Sequence, residues 1–92
     1  MIKANEYFEG KVKSIGNDID GKNFTVGIIE AGEFTFGTST DELMEIIIGE
    51  MEASLPDGTK KLYKKGESFS IPANKEFIVV VKKPVSYLCL YS

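Results

Sequence analysis

The chain has 92 residues and a net charge of −3, which predicts one small domain with a single core. This acidic balance gives no electrostatic attraction to nucleic acid or to an anionic membrane, so neither is expected as a partner. The basic residues are all lysines and there is no histidine. The chain therefore lacks arginine, the side chain that best holds phosphate bidentately, and histidine, the commonest metal ligand.

The cysteine content and the apolar segments predict a cytoplasmic protein. The single cysteine, Cys89, has no partner for an internal disulfide. The longest wholly apolar run, Phe77–Val81, is far shorter than the roughly 20 residues that span a bilayer. No apolar signal region stands at the N-terminus.

The first half of the chain alternates polar and apolar residues in short segments, the pattern of β-strands. Lys11–Ile15 alternates in this way, and Gly16–Asp18 followed by Asp20-Gly21 predicts a turn or loop. In the next strand Phe24, Val26 and Ile28 share one face, and in the strand after it Phe34, Phe36 and Thr38 do so. The segment Thr40–Ile48 is the one helix candidate, but its three isoleucines favour a strand.

The second half continues the pattern. Further strands are predicted around Met51–Leu55, Leu62-Tyr63, Phe69–Ile71, Phe77–Val81 and Val85–Tyr91, and Pro56-Asp57-Gly58 predicts a hairpin turn. We expect the Phe77–Val81 strand to be buried on both faces because it is wholly apolar. About nine short strands with regular turn signals indicate an all-β sandwich or closed barrel over residues 1–92.

Two spacings match those that frame the metal-binding hairpins of cupin barrels. Six residues separate Glu42 from Gly49, and five separate Gly66 from Pro72. In a metal-binding cupin the first hairpin also carries His-x-His and the second a histidine. Those positions fall here on Phe36, Thr38 and Phe77, so Glu42 alone remains as a ligand. A divalent transition metal needs three or four donors. The sequence therefore predicts a cupin-type (RmlC-like) jelly-roll barrel that holds no metal and needs no cofactor.

Several residues are candidates for a functional site, and each has a structural alternative. Glu42 is either an exposed acid or a carboxylate that points into the barrel mouth. The hydroxyls of Thr38 and Ser39 either form an anion site or belong to a polar hairpin loop. Lys75, just before Phe77, is the lysine that we predict as an anion partner. The four aromatic candidates either fill the core or stack on a planar ligand; they are Phe36, Phe77, Tyr87 and Tyr91.

Nearly the whole chain, from Asn5 to Tyr91, resembles one known family, the small bacterial pyrimidine/purine nucleoside phosphorylases. The opening and closing segments together are distinctive. The resemblance rests on Asn5–Phe8, Gly10–Gly16, Val26–Ile28, Gly32–Phe36, Thr38, Glu42, Met44, Gly49, Leu55-Pro56, Phe69, Pro72, Phe77, Pro84, Ser86–Cys89 and Tyr91.

This resemblance implies a single cupin barrel that forms a homodimer. It implies a pentosyltransferase that needs no metal and uses inorganic phosphate as co-substrate. Several purine and pyrimidine ribonucleosides would be cleaved to the free base and ribose 1-phosphate. Relatives can carry arginine just before the final tyrosine, where this chain has Leu90. Apolar residues such as Ile29 and Ile47 would need the cover that a dimer supplies.

Cleavage of an N-glycosidic bond builds positive charge on the sugar and negative charge on the departing base, much as in glycoside hydrolysis. We therefore predict Glu42 and Lys75 as catalytic residues. Thr38 and Ser39 are predicted to bind the substrates, as are Phe36, Phe77, Tyr87 and Tyr91. Two alternatives stay open: a non-catalytic cupin that binds a sugar or nucleotide, and a structural dimer whose barrel is filled with side chains.

Overall fold

The computed structural model describes residues 1–92 and contains β-strands but no helix. In chain order the strands are β1 (Lys3–Tyr7), β2 (Val12–Ile19), β3 (Lys22–Ile29), β4 (Gly32–Gly37), β5 (Glu42–Ile48), β6 (Glu50–Ser54), β7 (Lys60–Lys64), β8 (Ser68–Ile71), β9 (Glu76–Val81) and β10 (Val85–Tyr91). The prediction of an all-β fold is confirmed. The β-branched segment that could have formed a helix is strand β5.

The strands form two antiparallel sheets. The larger sheet has the order β1-β2-β3-β10-β5-β8, and the smaller has the order β4-β9-β6-β7. Side chains from both sheets meet in one core of 16 buried residues. Strands β1 and β4 are edge strands of their sheets. This arrangement leaves a seam between them, where the barrel interior opens.

The β2–β3 hairpin turns later than the sequence predicts. Gly16–Asp18 do not form a turn, because β2 continues through them and pairs with β3 as far as Ile19 and Lys22. The turn is made by Asp20 and Gly21, whose φ values are 53° and 76°. Positive φ at both central residues defines the type I′ turn that closes two-residue hairpins.

Two strands differ in burial from the prediction. Phe24, Val26 and Ile28 do share a face, but it is the outer face of the larger sheet, and the interior position at the end of β3 is taken by the fully buried Ile29. Ile29 therefore needs no cover from a partner. Strand β9 is not buried on both faces, because Ile78 is exposed on the outside of the smaller sheet. No element covers that side of the sheet, so buried and more exposed side chains alternate along the strand.

Aromatic rings connect the closed part of the core to the open seam. Tyr63 lies 4.5 Å from Phe69 between ring centroids, and Phe69 lies 6.1 Å from Phe77. Phe77 then stacks on Phe36 at 5.5 Å with an interplanar angle of 27°. Phe8 packs against Phe36 from the other side of the seam at 5.5 Å. The rings thus form a continuous apolar wall that ends at the surface.

Candidate functional site

A cavity of about 340 Å³ lies at the seam between the two sheets. Its volume falls in the range of small-molecule sites. Residues of β1, β2, β3, β4, β5, β9 and β10 line it, with Phe36 and Phe77 on one side and Glu42, Tyr87, Cys89 and Tyr91 on the other. The two phenylalanines at the former metal-ligand positions therefore form a wall of the cavity and do not fill it.

Glu42 is the only carboxylate that lines this cavity, and it is partly buried there. It is the first residue of β5 and lies directly opposite Tyr91 of β10. Burial raises the pKa of the Glu42 carboxyl, and the hydrogen bond from Cys89 only partly opposes this. The Cys89 Sγ donates to Glu42 Oε1 at 3.5 Å. Of the two sequence interpretations, the inward-pointing carboxyl is the one that the structure displays.

The groups that surround Glu42 all keep their protons near neutral pH. Burial raises the pKa of the Tyr87 phenol to about 12, and the nearby Ser14 hydroxyl acts in the opposite direction. Burial is also the main cause that raises the pKa of the Cys89 thiol to about 12. The pKa of Tyr91 is raised in the same way by burial. Two phenols and a thiol are therefore neutral hydrogen-bond donors beside one carboxyl.

The structure brings Glu42, Phe36, Phe77, Tyr87 and Tyr91 together in this cavity. It does not bring Thr38 there. The Thr38 hydroxyl donates to the Pro72 carbonyl at 2.6 Å and accepts from the Lys75 N–H at 3.1 Å. The Lys75 carbonyl also lies 3.2 Å from this hydroxyl. Thr38 thus ties the β8–β9 loop to the end of β4.

The two other predicted site residues also lie outside the cavity lining. Lys75 is exposed, and it contacts Thr38 through its backbone. Ser39 is exposed in the bend before β5 and lines a neighbouring hollow together with Thr40 and Tyr91. Leu90, where relatives can carry arginine, alternates with Cys89 and Tyr91 along β10 and so faces the outside of the barrel.

The hydrogen bonds of Thr38 lead to a prediction about the stability of the protein. Replacing Thr38 by valine is expected to lower the free energy of unfolding by about 1–3 kcal/mol, because buried loop groups lose their partner. Thr38→Ser keeps the hydroxyl and should recover most of the loss. Urea unfolding of the three proteins measures the difference. A stability of Thr38→Val equal to wild type would show that the loop does not need this hydroxyl.

Three lining residues come from β1 and the turn that follows it, which the strand pattern did not reveal. They are Asn5, Tyr7 and Phe8. Phe8 and Glu9 have φ values of 53° and 58°, so the β1–β2 turn uses left-handed backbone to place the Phe8 ring over the seam. The Glu9-Gly10 pair was the local signal for this turn, and the spacing of Asn5 and Tyr7 was the signal for side chains on one face.

The structure contains no group of three or more acidic or cysteine side chains that could hold a metal ion. It also contains no helix with the length and apolar character that crossing a membrane requires.

Comparison with solved structures defines the fold class. An RmlC-like cupin from Shewanella frigidimarina superposes with a TM-score of 0.78 at 17% identity, over 98% of this chain and 82% of that one. A protein of unknown function from Vibrio parahaemolyticus superposes with a TM-score of 0.95 at 38% identity, over 100% of this chain and 99% of that one. The chain is therefore a cupin-type barrel with an aromatic-walled cavity at its seam.

Sequence comparison then defines the family. Residues 2–91 match the model of a family described as pyrimidine/purine nucleoside phosphorylase. A pyrimidine/purine nucleoside phosphorylase of Pseudomonas syringae is 45% identical over 99% of both chains. One of Pectobacterium carotovorum has the same identity and coverage. The chain belongs to the pyrimidine/purine nucleoside phosphorylase family.

Proposed function

We propose that this protein is a pentosyltransferase that cleaves purine and pyrimidine ribonucleosides with inorganic phosphate, releasing the free base and α-D-ribose 1-phosphate. One observation carries the proposal: a cavity of nucleoside-binding size in a member of this family combines a single carboxyl with aromatic walls. The predicted alternative of a barrel filled with side chains would leave no such space.

The reaction exchanges one bond for another at the ribose. The C1′–N bond breaks and its electron pair leaves with the base, while a phosphate oxygen forms the new bond to C1′. The base takes up a proton to become neutral, and this balances the proton that hydrogenphosphate loses when it becomes the phosphate ester. Because positive charge builds on the sugar in the transition state, a carboxylate beside the sugar stabilises it more than the ground state.

Glu42 is the group that we assign to this task. A carboxylate at its position accepts hydrogen bonds from ribose hydroxyls and faces the developing positive charge. The neutral phenols of Tyr87 and Tyr91 donate hydrogen bonds to the nucleoside without adding charge.

The aromatic wall is proposed to hold the base. Phe36 and Phe77 stack on one another, and Phe8 closes the same wall at the surface. Rings recognise any planar base through stacking and apolar contact, which does not depend on the base's hydrogen-bonding edge. Broad tolerance of purines and pyrimidines follows from this kind of wall.

Of the residues predicted to bind phosphate, Lys75 lines neither the Glu42 cavity nor the hollow beside it, whereas Ser39 lines that hollow. Thr38 is occupied by the β8–β9 loop. We also propose that the enzyme needs no metal or other cofactor. A cytoplasmic location, the expectation from the single thiol, is part of the same proposal.

The proposal is tested by mixing the protein with inosine or uridine, with and without phosphate, in the presence of a chelator. Release of free base that depends on phosphate supports the phosphorylase. Binding of the nucleoside without turnover would instead support the non-catalytic cupin. Neither binding nor turnover would favour the structural dimer. Activity that the chelator abolishes would contradict the proposal that no metal is needed.

A homodimer is proposed from the outer face of the larger sheet. Ile15, Val26 and Leu88 stand in one cross-strand row on that face, and Ile28 lies on it with 53% of its surface exposed. Such a contiguous apolar face on a small protein is typical of a surface that associates.

Replacing Ile28 by lysine is therefore expected to convert a dimer into a monomer, because it removes an apolar side chain from the proposed interface and adds a second ammonium group opposite Lys13. Sedimentation equilibrium at micromolar concentration measures the change. The matched control is Leu62→Lys, an exposed leucine on the smaller sheet, which should stay dimeric. A monomeric wild-type protein would contradict the proposed dimer.

A further inference from the structure

The cavity around Glu42 lacks any group that attracts phosphate electrostatically. Its ionisable side chains are Glu42, Tyr7, Tyr87, Cys89 and Tyr91, all of them acids. A phosphate anion placed among them would lie against the Glu42 carboxyl, and like charges at such distances disfavour one another. The nucleoside and the phosphate therefore need different surroundings within one site.

A second hollow of about 680 Å³ adjoins the cavity and supplies a cation. The two spaces share Asn5, Tyr7 and Tyr91 in their linings. Lys3 lines the hollow, together with the hydroxyls of Thr25, Ser39 and Thr40. Building on the proposed function, we propose that inorganic phosphate binds in this hollow on the Lys3 ammonium group, while the nucleoside occupies the Glu42 cavity.

Tyr91 stands at the boundary between the two spaces. Its hydroxyl lies 2.9 Å from Thr25 Oγ1 on the side of the hollow, and its strand position is directly opposite Glu42 on the side of the cavity. A phosphate held beside Thr25 and Lys3 is thus separated from the Glu42 carboxyl by the Tyr91 ring. Its reactive oxygen reaches the ribose where the two spaces join.

The backbone around the hollow adds neutral donors. Strand β1, which carries Lys3, pairs with β2 alone, so alternate N–H groups of β1 face away from the sheet. Asn17 and Asn23 add two side-chain amides to the lining. Asp18 is the one carboxylate there and acts against an anion. With no arginine in the chain, a lysine with hydroxyls and amides is the anion-binding set available.

The decisive variant is Lys3→Met, at an exposed position where loss of the charge leaves the core untouched. We expect the KM for phosphate to rise at least fivefold, with the kcat at saturating phosphate and the KM for inosine each within twofold of wild type. A rise in KM at constant kcat is the signature of lost ground-state binding. Lys3→Arg keeps the positive charge and should restore most of the phosphate affinity.

Two other lysines provide the comparison. Lys83→Met removes an exposed lysine from a distant groove and should leave the KM for phosphate unchanged. Lys75→Met tests the lysine favoured by the sequence pattern. An unchanged KM for phosphate in Lys3→Met would overturn the proposal, as would a rise confined to Lys75→Met.

A binding measurement separates this inference from the proposed function. Titration of inorganic phosphate into wild type and Lys3→Met by calorimetry needs no turnover. Phosphate binding that Lys3→Met weakens at least fivefold supports the hollow even if no nucleoside is cleaved, and then only the phosphorylase proposal fails. If nucleoside is cleaved but the KM for phosphate is the same in wild type and Lys3→Met, the phosphate site in the hollow is overturned and the phosphorylase proposal stands. If the protein shows no turnover and binds no phosphate, both the phosphorylase proposal and the hollow are overturned.

Discussion

Replacing Glu42 by glutamine is expected to lower kcat/KM for nucleoside phosphorolysis at least about tenfold, a loss of roughly 1.4 kcal/mol of transition-state stabilisation. The amide has nearly the same shape as the carboxyl but carries no negative charge and takes up no proton. It therefore keeps the packing around Tyr91 and Cys89 and removes only the electrostatic contribution. Steady-state kinetics with inosine and uridine measure the change.

The control for this variant is Glu45→Gln on the same strand. Glu45 is exposed on the outer face of β5, so the same change of charge takes place away from the cavity. We expect its kcat/KM to stay within twofold of wild type. If Glu42→Gln is folded and as active as Glu45→Gln, the carboxyl has no role in the reaction.

The stability of Glu42→Gln should change in the opposite sense to its activity. Burial raises the pKa of Glu42 above its usual 4.5, so the folded protein favours the protonated form. The contribution of this group to stability is full below the unfolded pKa and is lost as the pH rises through the raised folded value. Near neutral pH, Glu42→Gln should therefore unfold at the same or a higher urea concentration than wild type.

Replacing Gly27 by alanine should cause the largest loss of stability among single-methyl additions to the barrel. A Cβ built there lies 2.6 Å from the Lys13 carbonyl oxygen, 2.8 Å from Ser14 Cβ and 2.9 Å from the Tyr87 hydroxyl. Two of these contacts involve backbone or Cβ atoms, which cannot move without shifting β2 away from β3. Overpacking of this kind costs about 1–3 kcal/mol. For a domain of this size, each kcal/mol lowers Tm by about 4–8 °C.

The matched control is Gly37→Ala. Both glycines lie in strands without a positive φ, but a Cβ at Gly37 has no atom within 4 Å. We expect Gly37→Ala to be neutral or slightly stabilising, since alanine restricts the unfolded chain. Gly27→Ala should also weaken nucleoside binding, because the added methyl group displaces the Tyr87 hydroxyl. Equal melting temperatures for the two variants would mean that β2 and β3 can move apart at Gly27 without loss of stability.

The strands and their turns could largely be predicted from the sequence. The isoleucines of Thr40–Ile48 predict a strand, and β5 is found there. The segment Val85–Tyr91, predicted as the last strand, is β10. The failures have a common cause: alternation shows which residues share a face but not which face points inward. Phe24, Val26 and Ile28 share a face as predicted, yet they lie outside.

Strand β1 shows why part of the site escaped prediction. None of its residues is buried, so it carries no apolar alternation, and it is a strand only because its backbone pairs with β2. Asn5 and Tyr7 reach the cavity through that pairing. A segment whose conformation depends on a neighbouring strand carries no apolar pattern that marks it as a strand.

The order of apolar and turn residues by itself determined that this protein is all-β, since periodicity is a local property of the chain. The amino-acid composition determined that anions must be held without arginine or histidine. Only the tertiary structure decided that Glu42 faces a cavity and that Thr38 serves a loop. It also decided that Lys3 lies beside the site while Lys75 does not line it. The physical reason is that these placements depend on contacts between strands far apart in sequence, which no local pattern encodes.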